Sequence, residues 1–270
     1  MKALITDLDG TILPSGGEIS PASYHSLEQL GKSGIVRVVA TGRTLFAARK
    51  FLSDDFPIDY LVFSSGAGTV NWQTKEIVEA HHLSPEETRD IADYLWNYNI
   101  NFTIQREIPD NHYFYYTDMY PAHSDYRRRI EKFREFGTLI RETKDIRSGS
   151  TQFIMILPGN RLSLVEKVRR ELPRYSVIRS TSPLDKQAIW IEIYPSRVNK
   201  GTTCQRLFET LGISSRECAG IGNDYNDVDF LEICGEACVV DNAPAQLKSC
   251  YRKVSSDREE GFSEFVRRIF

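Results

Sequence analysis

The chain has 270 residues, of which 41% are hydrophobic and 26% charged, and its net charge is −3. That composition excludes a disordered or fibrous chain, and the charge argues against a general nucleic-acid binder, which would be clearly basic. No uninterrupted apolar run approaches the ~20 residues that span a bilayer, and the opening MKALITDLDG meets acidic residues too soon for a secretory signal. The expectation is a cytoplasmic protein with no membrane partner.

In chain order, an apolar strand over residues 3–6 ends in acidic residues and glycine. A helix follows over 21–33, with Ser20 as N-cap and Pro21 in the first turn. A second strand over 36–40, a helix from residue 45 and a third strand over 59–63 complete a strand–helix alternation that indicates a parallel sheet with helices on its faces. The middle differs: helices over 84–97, 122–136 and 161–172 are outnumbered by strands near 101–105, 112–116, 152–157, 175–179 and 188–194. This pattern suits an α+β module with an antiparallel sheet. Alternation then resumes with a helix over 200–211, a strand over 218–221, a helix over 226–234, a strand over 237–240 and a last helix over 259–269. The expected class is α/β. A Rossmann-like, doubly wound parallel-sheet domain made of residues 1–80 plus 195–270 carries an inserted α+β domain at 81–194. The five cysteines (Cys204, Cys218, Cys234, Cys238, Cys250) all fall in the C-terminal part. An odd count without zinc spacing reads as small buried apolar residues rather than disulfides or a metal site.

Four segments carry chemistry. Asp7-Leu8-Asp9-Gly10-Thr11 ends the first strand, where ligands of open α/β sheets bind. Asp7 and Asp9 are two apart and point the same way in extended backbone, and two converging carboxylates call for a cation such as magnesium. Thr41-Gly42-Arg43 ends the second strand with a hydroxyl and backbone amides ahead of a helix, an anion-binding arrangement. Asn199-Lys200-Gly201 puts a lysine at a helix start, against the helix dipole, as expected of a lysine held for an anion. Gly220 to Asp227 packs Asn223, Asp224, Asn226 and Asp227 into one tight turn, more than a single helix cap needs.

In this order and setting the four segments resemble the motifs of the haloacid dehalogenase (HAD) superfamily. The insertion between Thr41 and Lys200 is similar to that of the Cof-like, type-2 cap phosphatases, and Ser65-Gly66-Ala67 resembles their Asn-Gly-Ala turn with Ser in place of Asn. The resemblance implies a magnesium-dependent phosphatase acting on small phosphorylated metabolites. Sugar phosphates come first among these, with nucleotides, flavin mononucleotide and pyridoxal phosphate as alternatives. It implies Asp7 as covalent nucleophile, Asp9 as general acid and base, and Thr41 and Lys200 as neutralisers of phosphoryl charge. Gly42 and Arg43 join Thr41 and Lys200 in substrate binding, and Asp227 orients Lys200 or a metal-bound water. The implied metal set is Asp7, Asp9, Asn223, Asp224 and Asp227. One departure stands out: where relatives read GDxxND, Asn223 follows Gly222 and Asp224 comes one later, so either Asn223 or Asp224 completes the metal site.

Other features have ordinary readings. Arg127-Arg128-Arg129 reads as a solvated helix face. His112 to Tyr116 and Trp190 read as aromatic packing in the insert, with stacking on a sugar as the alternative. Arg43 either touches substrate or pairs with a carboxylate. Two further functions stay open beside hydrolysis: a phosphosugar mutase and a non-catalytic phosphometabolite binder.

Overall fold

The computed structural model describes residues 1–182 and 188–270. In chain order the elements are β1 (Ala3–Asp7), α1 (Pro21–Lys32), β2 (Val36–Ala40), the single turn α2 (Leu45–Ala48), β3 (Tyr60–Phe63), β4 (Gly68–Asn71) and β5 (Ile77–Ala80). Next come α3 (Pro85–Trp96), β6 (Phe102–Gln105), β7 (Phe114–Tyr116), α4 (Ser124–Lys132), β8 (Gly137–Leu139), β9 (Gln152–Leu157), α5 (Leu162–Glu171), β10 (Ser176–Thr181) and β11 (Ile189–Tyr194). The chain ends with α6 (Lys200–Thr210), β12 (Cys218–Gly222), α7 (Val228–Ile233), β13 (Glu236–Val240), α8 (Ala245–Cys250), β14 (Arg252–Val254) and α9 (Gly261–Ile269). Two compact units result: Met1–Glu79 with Asn199–Phe270, and Ala80–Val198.

The first unit is α/β. Its sheet runs β14-β13-β12-β1-β2-β3-β4-β5, parallel from β14 to β3 and antiparallel where β4 returns along β3. The β4–β5 edge was not expected from the sequence: Gly-Thr-Val-Asn is short and lacks strand alternation, and it pairs because the turn after β3 folds it straight back. β1 is buried along its whole length. Its Ala3 and Ile5 pack with Val38, Ala40 and Val62 against Cys204, Leu207 and Phe208 of α6 and Phe230 and Leu231 of α7. Helix starts follow the local chemistry. Ser20 accepts from the Ser23 amide at 3.1 Å with Pro21 in the first turn of α1, and Asn199 accepts from the Thr202 amide at 2.7 Å at the head of α6.

The second unit is a six-stranded sheet, β10-β11-β9-β6-β7-β8, antiparallel except for the parallel β7–β8 pair. One sheet face packs with α3 and α5 around Ile91, Leu95, Phe102, Phe153, Val165 and Ile191. On the other, Tyr126 of α4 packs on Ile154 and Ile156. Among the described residues no helix is long and apolar enough to cross a membrane.

Candidate active site

The first sheet reverses its winding at β1: β2 and β3 follow on one side, β12, β13 and β14 on the other. Connections leaving such a strand pair diverge and open a crevice at the carboxyl ends. Asp7 is the last residue of β1 and Gly222 the last of β12. Alternation along β1 carries Asp7 onto the face of Ala3 and Ile5, where α6 packs. Lys200 is the first residue of that helix, so topology alone turns the two toward each other. The approach depends on Gly201: a Cβ there would lie 2.3 Å from the Asp229 carbonyl oxygen, so any side chain would push α6 off α7.

The result is a buried triad. Lys200 Nζ donates to Asp7 Oδ1 at 2.6 Å and to Asp227 Oδ1 at 2.7 Å, and Asp7 is 5%, Lys200 1% and Asp227 0% exposed. Two carboxylates against one ammonium leave an excess negative charge out of water, which is costly. Asp7 carries the strain: burial first, then repulsion from Asp227 and Asp9, push its carboxyl up to about 8 against the lowering pull of Lys200. Burial alone would lower Lys200, but the attraction of Asp227 and Asp7 outweighs it and the ammonium is held above the usual lysine range.

Asp227 spends both oxygens inside the protein. Its Oδ2 accepts from the Asn223 and Asp224 amides at 2.8 and 2.9 Å, and with Asp224 it forms a capping box at the turn into α7. Asp227 therefore positions Lys200 and the turn, and Asp224 serves as a cap. Asn223 is the member of the turn that reaches the first loop. Gly10 has φ +77°, and a Cβ on it would stand 2.5 Å from the Asn223 amide nitrogen, so the Asn223 side chain lies against the Asp9–Gly10 backbone.

Thr41 and Arg43 form the other wall. The Thr41 hydroxyl is buried and accepts from the Arg43 amide at 3.1 Å. The Arg43 guanidinium is committed to Asp9, donating through Nε at 2.7 Å and Nη2 at 2.6 Å, and it lies 4.0 Å over the Phe51 ring. Of the two roles open to Arg43, the structure takes the carboxylate pair. Gly42 is exposed at the rim.

Several supports take their role only from the three-dimensional structure, although the Ser65-Gly66-Ala67 turn and Thr11 were marked in the sequence. Ser64 and Ser65 have φ of 49° and 51°, a conformation costly for residues with side chains. Their amides hold the Arg43 and Thr41 carbonyls at 2.8 and 3.0 Å, and Thr203 of α6 donates to the Gly66 carbonyl at 2.9 Å. This turn clamps the Thr41 loop to the helix that carries Lys200. Asn242, just past β13, donates to the Gly10 carbonyl at 2.8 Å, and its place at a strand's carboxyl end was the available signal. Thr11 donates weakly to Asp7 Oδ2 at 3.4 Å.

The donor chemistry fits a hard divalent cation. Asp7 brings a buried carboxyl whose charge a cation would stabilise, and the neutral oxygens of Asn223 and the Asp9 backbone lie in the adjoining loops. Among the described residues no three His, Cys, Asp or Glu side chains form a metal cluster. One carboxylate with neutral oxygens suits an ion that keeps several of its waters.

Comparison with known proteins agrees with this architecture. Residues 4–266 match the family model of haloacid dehalogenase-like hydrolases. The chain is 23% identical to the 5-amino-6-(5-phospho-D-ribitylamino)uracil phosphatase YwtE of Bacillus subtilis (strain 168), covering 100% of this chain and 98% of that protein. Its fold is shared with BT1666 from Bacteroides thetaiotaomicron, a phosphatase of the HAD superfamily, at TM-score 0.81 and 16% identity over 99% of this chain and 94% of that one. The HAD subclass IIB sugar phosphatase BT4131 superposes at TM-score 0.78 and 16% identity, covering 99% and 98%. With a family model matched along nearly its whole length and an inserted α+β unit between Thr41 and Lys200, the chain belongs to the haloacid dehalogenase-like hydrolases.

Proposed function

We propose that this chain is a magnesium-dependent phosphomonoester hydrolase acting on small phosphometabolites through an aspartyl-phosphate at Asp7. The observation that carries the reading is the Asp7–Lys200–Asp227 triad at the switch point of the sheet. Lys200 holds Asp7 Oδ1 and so aims the other oxygen, Oδ2, into the crevice as the attacking atom. The Thr41 hydroxyl accepts from a backbone amide, which leaves its proton for a phosphoryl oxygen. Asp9 protonates the leaving oxygen and later takes a proton from the attacking water. Arg43 orients the Asp9 carboxyl through two hydrogen bonds, and that pair opens for Asp9 to reach the leaving oxygen. Bound magnesium, held by Asp7, the Asp9 carbonyl and Asn223, supplies positive charge that favours the Asp7 carboxylate and the phosphoryl oxygens.

The relatives support small phosphorylated metabolites as substrates, since YwtE is named for a phosphorylated ribityl compound and BT4131 for sugar phosphates. The test is phosphate release from a panel of such esters, with and without magnesium and with no activating bisphosphate. Wild type should release phosphate only with the metal. Asp7→Asn should lose turnover by several orders of magnitude, as when a covalent nucleophile is removed. Retention of most activity by Asp7→Asn would sink the aspartyl-phosphate. Turnover only in the presence of a bisphosphate would make the protein a mutase.

A further inference from the structure

Phe51 follows the single turn of α2 and lies beside the site, 45% exposed. The central carbon of the Arg43 guanidinium stands 4.0 Å from its ring centre. Along its edge the same guanidinium donates to Asp9 through Nε at 2.7 Å and Nη2 at 2.6 Å. The two contacts do not compete, because a planar guanidinium stacks with its face and hydrogen-bonds with its edge. Backbone bonds fix both residues: the Ser64 amide donates to the Arg43 carbonyl at 2.8 Å, and the Phe51 amide to the Ala48 carbonyl at 2.9 Å.

The Arg43 and Asp9 side chains keep 26% and 42% of their surface in water. A pair so open to solvent is weak on its own, because water and salt compete for both partners. A ring over one guanidinium face excludes water from that side and attracts the cation through its quadrupole. We propose that Phe51 is a positioning residue: its ring holds Arg43 in place, and Arg43 in turn keeps the Asp9 carboxyl aimed into the crevice for proton transfer to the leaving oxygen. The proposal rests on the acid–base role given to Asp9 above. The stack uses only the face of Arg43, so it survives the opening of the ion pair. The guanidinium therefore stays beside Asp9 and receives it again between the two proton transfers. A lysine at position 43 could not do both, since an ammonium has no flat face to stack and no fork to offer a carboxylate.

The test compares wild type, Phe51→Leu and Phe51→Tyr as full-length chains in two measurements. The first is the Arg43 Nε–H resonance of the isotope-labelled protein, identified by its loss in Arg43→Lys. It should shift and exchange faster with water in Phe51→Leu, and stay in place in Phe51→Tyr, which keeps the ring. The second is kcat/KM for phosphate release from two esters. With an alkyl phosphate, whose poor leaving group needs the acid, Phe51→Leu should lose roughly tenfold, a part of the ~10²–10⁴ that a positioned acid supplies. With p-nitrophenyl phosphate, whose leaving group departs without a proton, the change should stay within about twofold. Phe51→Tyr should restore the alkyl ester. An unmoved Arg43 resonance in Phe51→Leu would overturn the proposal. So would equal losses on the two esters, which is what a merely structural role produces. Equal losses while Asp7→Asn abolishes turnover would sink the role of Phe51 alone; no turnover by wild type would sink it together with the phosphatase reading.

Discussion

Asp7 is where the site's function and its stability pull against each other. Burial first, then repulsion from Asp227 and Asp9, holds the Asp7 carboxyl up at about 8 although Lys200 pulls it down. An unfolded aspartate titrates near ~3.9. Between those values the folded chain keeps a proton that the unfolded chain has released, so this group's contribution to stability falls as pH rises from about 4 to about 8. Asp7→Asn removes the excess charge and leaves Lys200 paired one-to-one with Asp227. The metal-free variant should therefore be the more stable protein at pH 8, by up to a few kcal/mol. Urea unfolding should show that margin shrinking toward pH 4; a margin independent of pH would mean that Asp7 is not the strained group. Asn223 offers the complementary change. Its amide reaches the Gly10 backbone without adding charge. Asn223→Asp should tighten magnesium binding, roughly tenfold in a calorimetric titration, because charge count tunes such sites, and it should destabilise the metal-free chain by adding a like charge beside Asp7. Unchanged affinity would take Asn223 out of the metal shell.

At the scale of elements, close approach of α6 to α7 is what turns two separate motifs into one site. Gly201→Ala puts a methyl 2.3 Å from the Asp229 carbonyl oxygen, a backbone atom that cannot swing aside. Overpacking of this kind costs about 1–3 kcal/mol, and the same shift moves Lys200 relative to Asp227. The variant should unfold at lower urea and should lose turnover beyond what its folded fraction explains. Loss of stability with full activity per folded molecule would show that the helix spacing does not set the triad. The residues of this site were legible in the sequence because each sits at a strand's carboxyl end or a helix start, where local signals are strong. Their partners were not. That Arg43 chooses Asp9, that Asp227 turns inward onto two amides, and that Ser64 and Ser65 brace Thr41 are consequences of long-range packing. No spacing rule encodes them. The short strands β4, β5, β8 and β14 at the ends of the two sheets were missed for a related reason: three or four residues carry too little periodicity, and neighbouring strands dictate their conformation.

At the scale of the whole molecule, the change from strand–helix alternation to strand-rich sequence and back marked the insertion, because each pattern can bury its apolar face in only one kind of layer. The insertion's core shows what that implies for folding. Its main apolar cluster runs from Leu83 to Ile193 and takes residues from α3, α5, β6, β9, β10 and β11, all from within the Ala80–Val198 unit. Among the described residues its sheet pairs only its own strands. A segment that closes its own sheet and core holds what a domain needs for independent stability. Residues 80–198 expressed alone should fold, unfolding cooperatively in urea with a stability of about 5–15 kcal/mol, as for domains of similar size. Near-ultraviolet circular dichroism should report fixed packing of Phe102 and Phe153, whose ring centres lie 5.9 Å apart in the core. A gradual, non-cooperative transition or the absence of an aromatic signal would mean that the unit needs the rest of the chain to fold.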